Sequence, residues 1–146
     1  MRSKESKPII DIDIHILDGE KGRFSDEYYI VAMKMGDSEP NYFDVQQFFS
    51  LTGTHRPIGL ITLEHFVGSK MASIQTMDVD YQYEGRKVGQ RLMARAAIFA
   101  KELGAESMHT NSVDTAVGFY RKQGMTSEPW NPKSLEMSLI DDEPDD

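Results

Sequence analysis

A short basic segment with two glycines, YEGRKVGQRLM at positions 83–93, carries the residues best suited to binding an anion. Gly85 and Gly89 flank the cations Arg86 and Lys87, and an apolar helical pattern begins directly afterwards. The first amide groups of a helix lack partners and carry roughly half a positive charge, so they bind an anion when glycines let the backbone approach it. Taken alone, the segment fits a phosphate-binding loop and a basic surface turn about equally well.

The elements that would hold this segment follow from the spacing of apolar residues. A spacing of three or four predicts an amphipathic helix over 86–103, with Gly104 as its C-terminal stop. The apolar residues in question are Val88, Leu92, Ala96, Phe99 and Leu103. A strand is predicted at 106–110, followed by a second helix over 113–123 that Gly124 ends.

The N-terminal third of the chain predicts strands with one ambiguous segment. Residues 8–17 alternate apolar and polar positions as a half-buried strand does, and DGEKG at 18–22 reads as a turn. Residues 25–35 fit either a strand or a helix with an N-cap serine and an acidic first turn, and we favour the helix. The segments 45–51 and 57–66, on either side of TGTHR, predict a hairpin.

The strand predicted at 71–79 has an irregular alternation. Ile74 and Met77 are separated by an odd step, and a β-bulge between them would restore a common face. A turn is predicted at 129–132 and a last strand over 134–140. Strands followed by helix, strand, helix and strand predict an α/β layout with at least one parallel crossover.

The two helical segments together resemble the GNAT superfamily of N-acetyltransferases, over a span from about Pro57 to Ile140. Val79-Asp80 is similar to the V-D-P-like step that ends a strand in that family, and residues 84–89 occupy its pyrophosphate loop, R/Q-x-x-G-x-G/A. Residues 113–125, VDTAVGFYRKQGM, are similar to the family's second helix at Ala116, Phe119, Tyr120 and Gly124.

This chain departs from the family pattern at four positions. Glu84 replaces the leading Arg or Gln of the loop, and Lys87 replaces its first glycine. Val113 replaces the asparagine that opens the second helix, and Met125 replaces a phenylalanine. A carboxylate at position 84 would repel a pyrophosphate unless its side chain turns away.

The resemblance implies an α/β fold: a GNAT-like mixed sheet with N-terminal antiparallel strands, a central pair of splayed parallel strands, and flanking helices. Residues 1–140 are expected to form a single domain. The last six residues, 141–146, hold five carboxylates and a proline, and we expect a disordered acidic tail there.

The activity implied by the resemblance is transfer of an acetyl group from acetyl-CoA to a primary amine by direct attack on the thioester, without a metal. The acceptor would be a small molecule or an amino group of a protein or peptide. The implied residues for the pantetheine arm are Met77 and Val79. Those for the pyrophosphate are Glu84, Gly85, Arg86, Lys87, Val88, Gly89 and Gln90.

Acid and base roles are also implied by the resemblance. Tyr120 matches the proton donor to the departing thiolate, although an aromatic residue on such a helix is also suited to packing. For the base that takes the ammonium proton, Glu64 is ranked ahead of Asp78, with His65 as a further candidate. Trp130 could line the acceptor pocket or pack in the core.

Composition limits the alternatives. The net charge of −8, or −3 without the tail, argues against a nucleic-acid binder that would use Arg86, Lys87, Arg91 and Arg95. The absence of cysteine excludes disulfides and fits a cytoplasmic protein, and no apolar run is long enough for a membrane span. The main rival is a catalytically silent module of the same fold that binds acyl-CoA or another protein. Dimerisation, common in the family, adds a homodimer to the partners considered.

Overall fold

The computed structural model describes residue 8, residues 10–50 and residues 54–140. Six strands form one sheet in chain order. They are β1 (Ile12–Lys21), β2 (Ser25–Lys34), β3 (Gly59–Phe66), β4 (Met71–Val79), β5 (Ser107–Asn111) and β6 (Ser134–Ser138). The helices are α1 (Tyr42–Phe49), α2 (Val88–Glu102) and α3 (Val117–Lys122).

The sheet is mixed, as predicted. Strands β1 to β4 run antiparallel to one another, β4 and β5 pair in parallel, and β6 returns antiparallel to β5. Helix α2 is the crossover between the two parallel strands. The predicted GNAT-like architecture is therefore confirmed.

Both faces of the sheet are covered where β2 and β3 cross its centre. On one face, Ile30 and Leu63 pack with Leu92 of α2 in the larger core cluster. On the other face, Val31 and Leu60 pack in a smaller cluster that includes a residue of α1. Successive residues of a strand point to opposite faces, so these central strands are apolar at nearly every position.

This burial corrects the helix favoured at 25–35, which is strand β2. Residues 28–33 are buried without interruption, as a strand between two layers requires. Its tyrosines and branched residues were therefore the stronger signal, and the serine and acidic residues at its start are not a helix cap.

The predicted strand at 45–51 is also wrong, because α1 occupies Tyr42–Phe49. A capping box begins this helix: the Asn41 side chain accepts from the Asp44 amide, and the Asp44 carboxylate accepts from the Asn41 amide. Asp44 also pairs with Arg56, which holds the pKa of this carboxyl below its ordinary value. Residues 51–53 of the predicted hairpin connection lie outside the described residues, as does the predicted tail at 141–146.

Two boundaries move in the first strand. It begins at Ile12 rather than at residue 8, and it continues to Lys21 through the predicted turn at 18–22. An irregular register between Asp18 and Lys21 lets β1 bend there while it stays paired with β2.

The later elements agree closely with the sequence. Helix α2 ends before Gly104, which has a φ of 95°, and Gly124 has a φ of 98° after α3. The predicted bulge is confirmed: Thr62 pairs with Thr76 and Leu63 with Ile74, so Gln75 is the extra residue. Among the described residues, no helix is long and apolar enough to cross a membrane.

Candidate functional site

The parallel pair β4–β5 separates part of the way along β4. Its ladder has four pairs and ends at Ile74 and Thr110, whereas β4 continues to Val79. At the end of the ladder, the Thr110 hydroxyl donates to the Ile74 carbonyl over 3.1 Å. The bulge at Gln75 follows at once. We call the space between residues 76–79 and the end of β5 the gap, and the predicted residues Met77 and Val79 lie along its edge.

The loop before α2 has an unusual backbone. Gly85 has a φ of 79° and Lys87 a φ of 68°, the only positive φ of a non-glycine residue in the described part of the chain. Left-handed backbone at a lysine is strained, and it explains why the family pattern has a glycine there. Such strain is typical of functional loops.

The start of α2 suits an anion. Lys87 is its N-cap residue and makes no side-chain hydrogen bond to the helix, so no cap covers the amides of Val88, Gly89 and Gln90. The Nε atom of Arg86 is buried and has no hydrogen-bond partner among the described residues. An oxyanion at this position would meet both sets of donors, so the residues present fit a pyrophosphate. Glu84 is exposed, with extended backbone, at the end of the turn before the loop.

Helix α3 packs closely on the start of α2. A Cβ atom added to Gly89 would lie 3.3 Å from Cζ of Phe119 and 3.8 Å from Cγ2 of Val79. The neighbouring ring, that of Tyr120, packs edge-on against Phe119 with centroids 5.4 Å apart. The anion-binding loop, the end of β4 and Tyr120 are therefore held as one unit.

Tyr120 is buried beside the gap, with 5% of its surface exposed. Burial raises the pKa of its phenol, because the charged form loses solvation, and the Asp78 carboxylate raises it further. A hydrogen bond with the Thr110 side chain acts in the opposite direction on this pKa. The phenol therefore stays protonated at neutral pH and can donate a proton at the gap.

The two predicted carboxylates do not meet. Glu64 lies opposite Ser73, and its carboxylate accepts from Ser25 Oγ over 2.8 Å and from Gln75 Nε2 over 3.0 Å. Asp78 lies opposite Leu60, four residues away along β3, which is about 13 Å at the usual rise of a strand. The two groups therefore offer separate positions for a base.

The Asp78 carboxylate makes no hydrogen bond or ion pair with any residue that the structure describes, and it is exposed. His65 follows Glu64 directly on β3, so its side chain points to the opposite face of the sheet. Trp130 is 81% exposed, which excludes the core-packing interpretation. Its predicted role in the acceptor pocket stays a prediction.

Beside the gap, on the α1 side of the sheet, lies a cavity of about 420 Å³ that the sequence did not reveal; we call it the α1-side cavity. It is lined by Phe48, Phe49, His55, Asp78, Asp80, Tyr81 and Gln82. His55 is the residue that the sequence analysis missed. It sits in the TGTHR connection, and no local pattern there indicates a partner on β4.

A second histidine near the bulge was also missed. His109 on β5 lies opposite Ser73, and its Nε2 atom is 2.9 Å from Oγ of Ser134. It lines a cavity of about 290 Å³ together with Gln75. Only the strand around residue 109 was predictable, because register across three strands brings these groups together.

Comparisons with known proteins agree with this geometry. A model of the acetyltransferase (GNAT) domain matches residues 44–125, whereas comparison with curated protein sequences gives no match. Among solved structures, Tetrahymena GCN5 is similar with a TM-score of 0.57 and 17% identity, over 82% of this chain and 71% of that one.

Two further structures show the same likeness. A GNAT-family acetyltransferase from Staphylococcus aureus Mu50 has a TM-score of 0.56 and 17% identity, over 78% of this chain and 68% of that one. The AtaT toxin, in a complex with the C-terminus of the antitoxin AtaR and acetyl-CoA, has a TM-score of 0.52 and 13% identity, over 79% and 68%. At these identities the structural likeness shows the fold alone.

Proposed function

This chain belongs to the GNAT acetyltransferase family, and from that membership we propose that it is an N-acetyltransferase that transfers the acetyl group of acetyl-CoA to a primary amine. Acetyl-CoA supplies a thioester, whose carbonyl carbon is the electrophile. The uncapped amides at the start of α2 and the unpaired Arg86 Nε support pyrophosphate binding there. The free edge of β4 at Met77 and Val79 supports pairing with the pantetheine arm.

The proposed reaction uses groups at the gap. The amine nitrogen forms a bond to the acetyl carbon, the carbon–sulfur bond breaks, and the departing thiolate takes the phenol proton of Tyr120. A backbone amide near Met77 would stabilise the negative charge that develops on the carbonyl oxygen. The ammonium proton must first pass to a base, and a carboxylate suits this role.

We assign the base to Asp78 rather than to Glu64. The Asp78 carboxylate has no described partner and lies close enough to Tyr120 to raise its pKa. Glu64 already accepts two hydrogen bonds and lies further along the sheet. This assignment reverses the ranking from the sequence.

The observation that carries the proposal is the protonated Tyr120 phenol at the gap, and Tyr120→Phe tests it. We expect kcat to fall by about 100-fold or more, since a positioned proton donor contributes at least that much, while acetyl-CoA binding is retained. Tyr28→Phe is the matched control, because Tyr28 is similarly buried but its ring packs on Phe99 of α2.

Release of the CoA thiol with a panel of amines measures kcat, and a thermal shift with acetyl-CoA measures binding. An unchanged kcat in Tyr120→Phe would remove the donor role. Stabilisation by acetyl-CoA without turnover of any amine would favour the silent acyl-CoA-binding module instead. The cytoplasmic location, homodimerisation, the single domain over 1–140 and the low affinity for nucleic acid stay predictions.

A further inference from the structure

The α1-side cavity touches the gap through one residue. Asp78 lines the cavity, and its carboxylate also acts on the Tyr120 phenol at the gap. A molecule in this cavity can therefore place a nitrogen atom against Asp78 while the rest of it extends toward α1. The opposite wall is formed by Phe48 and Phe49 at the end of that helix.

The cavity offers one carboxylate for a cation. Of its two aspartates, Asp80 is already engaged: its Oδ2 lies 3.3 Å from Nε2 of His55, and its Oδ1 accepts from the Gln82 amide over 3.0 Å. The other ring nitrogen of His55 lies 2.8 Å from the Pro57 carbonyl oxygen, and only an imidazolium makes both bonds at once. Asp78 remains as the single unpartnered carboxylate, which matches a monoamine better than a polyamine.

The rest of the cavity wall is aromatic. Phe49 and Tyr81 are 45% and 75% exposed, so their rings stay in water unless a ligand covers them. The Phe48 ring is fixed by an edge-on contact with His55, with centroids 4.9 Å apart. An apolar group placed among these rings would be removed from water, and an aryl group would also gain from ring–ring contacts.

The size of the cavity points in the same direction. Its volume of about 420 Å³ lies toward the lower end of the roughly 300–1,000 Å³ that small-molecule sites occupy. We therefore propose that the α1-side cavity is the acceptor subsite and that it selects primary monoamines carrying an aryl group on a short alkyl chain. This inference rests on the proposed acetyl transfer.

The first test compares kcat/KM for four acceptors with the full-length protein. They are 2-phenylethylamine, ethylamine, spermidine, and a short peptide with a free N-terminus and no lysine. We expect 2-phenylethylamine to exceed ethylamine by about tenfold or more, because the ring is removed from water, and to exceed the other two acceptors as well.

The second test removes an aromatic wall. Phe49→Ala should raise KM for 2-phenylethylamine by about fivefold, since ring contacts of this kind have that order of strength, and leave KM for ethylamine unchanged. Phe24→Ala is the matched control, because Phe24 is 73% exposed on the turn between β1 and β2. Tyr81→Ala repeats the test on the other wall if the first variant does not fold.

The outcomes separate this inference from the proposed function. Turnover of all amines without preference for 2-phenylethylamine, or a preference for spermidine or the peptide, overturns the subsite while acetyl transfer stands. A preference that Phe49→Ala and Tyr81→Ala both leave intact also overturns it. No acetylation of any amine overturns both proposals together.

Discussion

At the scale of single residues, Lys87 has the most informative conformation. Its φ of 68° places a lysine where the family pattern has a glycine. The sequence identified this position as a departure, but it could not show whether the backbone had changed to suit the lysine. The structure shows that the backbone keeps the left-handed turn, and the lysine carries the strain.

Lys87→Gly should raise the free energy of unfolding by about 1 kcal/mol, because glycine adopts this conformation without steric strain. Acetyl-CoA binding should be preserved or become tighter, since the amides of α2 remain in place. Chemical denaturation and a binding titration measure the two effects.

Lys87→Ala serves as the control, because it removes the charge and keeps the strain. It should leave the free energy of unfolding nearly unchanged. If both variants lose most of the acetyl-CoA affinity, the lysine side chain itself is the ligand, and the interpretation of the loop as a backbone cradle is wrong.

The Tyr120 phenol gives a second prediction at this scale. Because burial and the Asp78 carboxylate both raise its pKa, the phenol should lose its proton only above about pH 10, the ordinary value of tyrosine. The difference in phenolate absorbance between the wild-type protein and Tyr120→Phe isolates this titration.

Asp78→Asn should shift the Tyr120 midpoint to lower pH, because it removes a negative charge that opposes ionisation. Glu64→Gln, the matched control, should leave the midpoint unchanged. Equal shifts in the two variants would show that Asp78 has no special proximity to Tyr120, and the assignment of the base would lose its support.

At the scale of elements, α2 is positioned by its contact with β3. A Cβ atom added to Gly59 would lie 2.9 Å from Cδ1 of Leu92 and 3.1 Å from Cγ1 of Val88, so the first two turns of α2 rest directly on the sheet. This contact fixes the height of the anion-binding amides above β4. Periodicity predicted the helix, but it could not reveal which strand residue allows the close approach.

Gly59→Ala should therefore lower the free energy of unfolding by about 1–3 kcal/mol, the usual cost of overpacking a core, and it should weaken acetyl-CoA binding as α2 moves. Gly118→Ala is a control of opposite sign. A Cβ atom there meets nothing within 4 Å, so this helical position should become more stable by up to about 1 kcal/mol.

Thermal or denaturant unfolding of both variants gives the free energies. A Gly59→Ala protein with wild-type stability and wild-type acetyl-CoA affinity would show that α2 can shift without consequence. The account of how the loop is positioned would then fail.

At the scale of the whole molecule, the second half of the chain was predictable and the first half was less so. Helix α2, the bulge in β4 and α3 have strong periodic signals and glycine stops, and each was predicted near its observed place. Strand β2 was misread because a strand buried on both faces loses its alternation. Helix α1 was missed although Asn41 and Asp44 form a capping box.

The same contrast holds for the site. The anion-binding loop and Tyr120 lie within continuous motifs, so their neighbourhood could be expected from the sequence. The α1-side cavity could not, because it joins α1, the connection at His55 and the end of β4, which are far apart along the chain. Acceptor selectivity is a property of that assembly and not of any single motif.

The central claim is acetyl transfer to an amine at the gap. Mass spectrometry of a reaction containing the full-length protein, acetyl-CoA and 2-phenylethylamine tests it most directly. We predict one acetyl group on the amine nitrogen and one free CoA thiol for each amide formed, with both lost together in Tyr120→Phe. A protein that acetyl-CoA stabilises against heat but that acetylates no primary amine in a broad panel would contradict the claim.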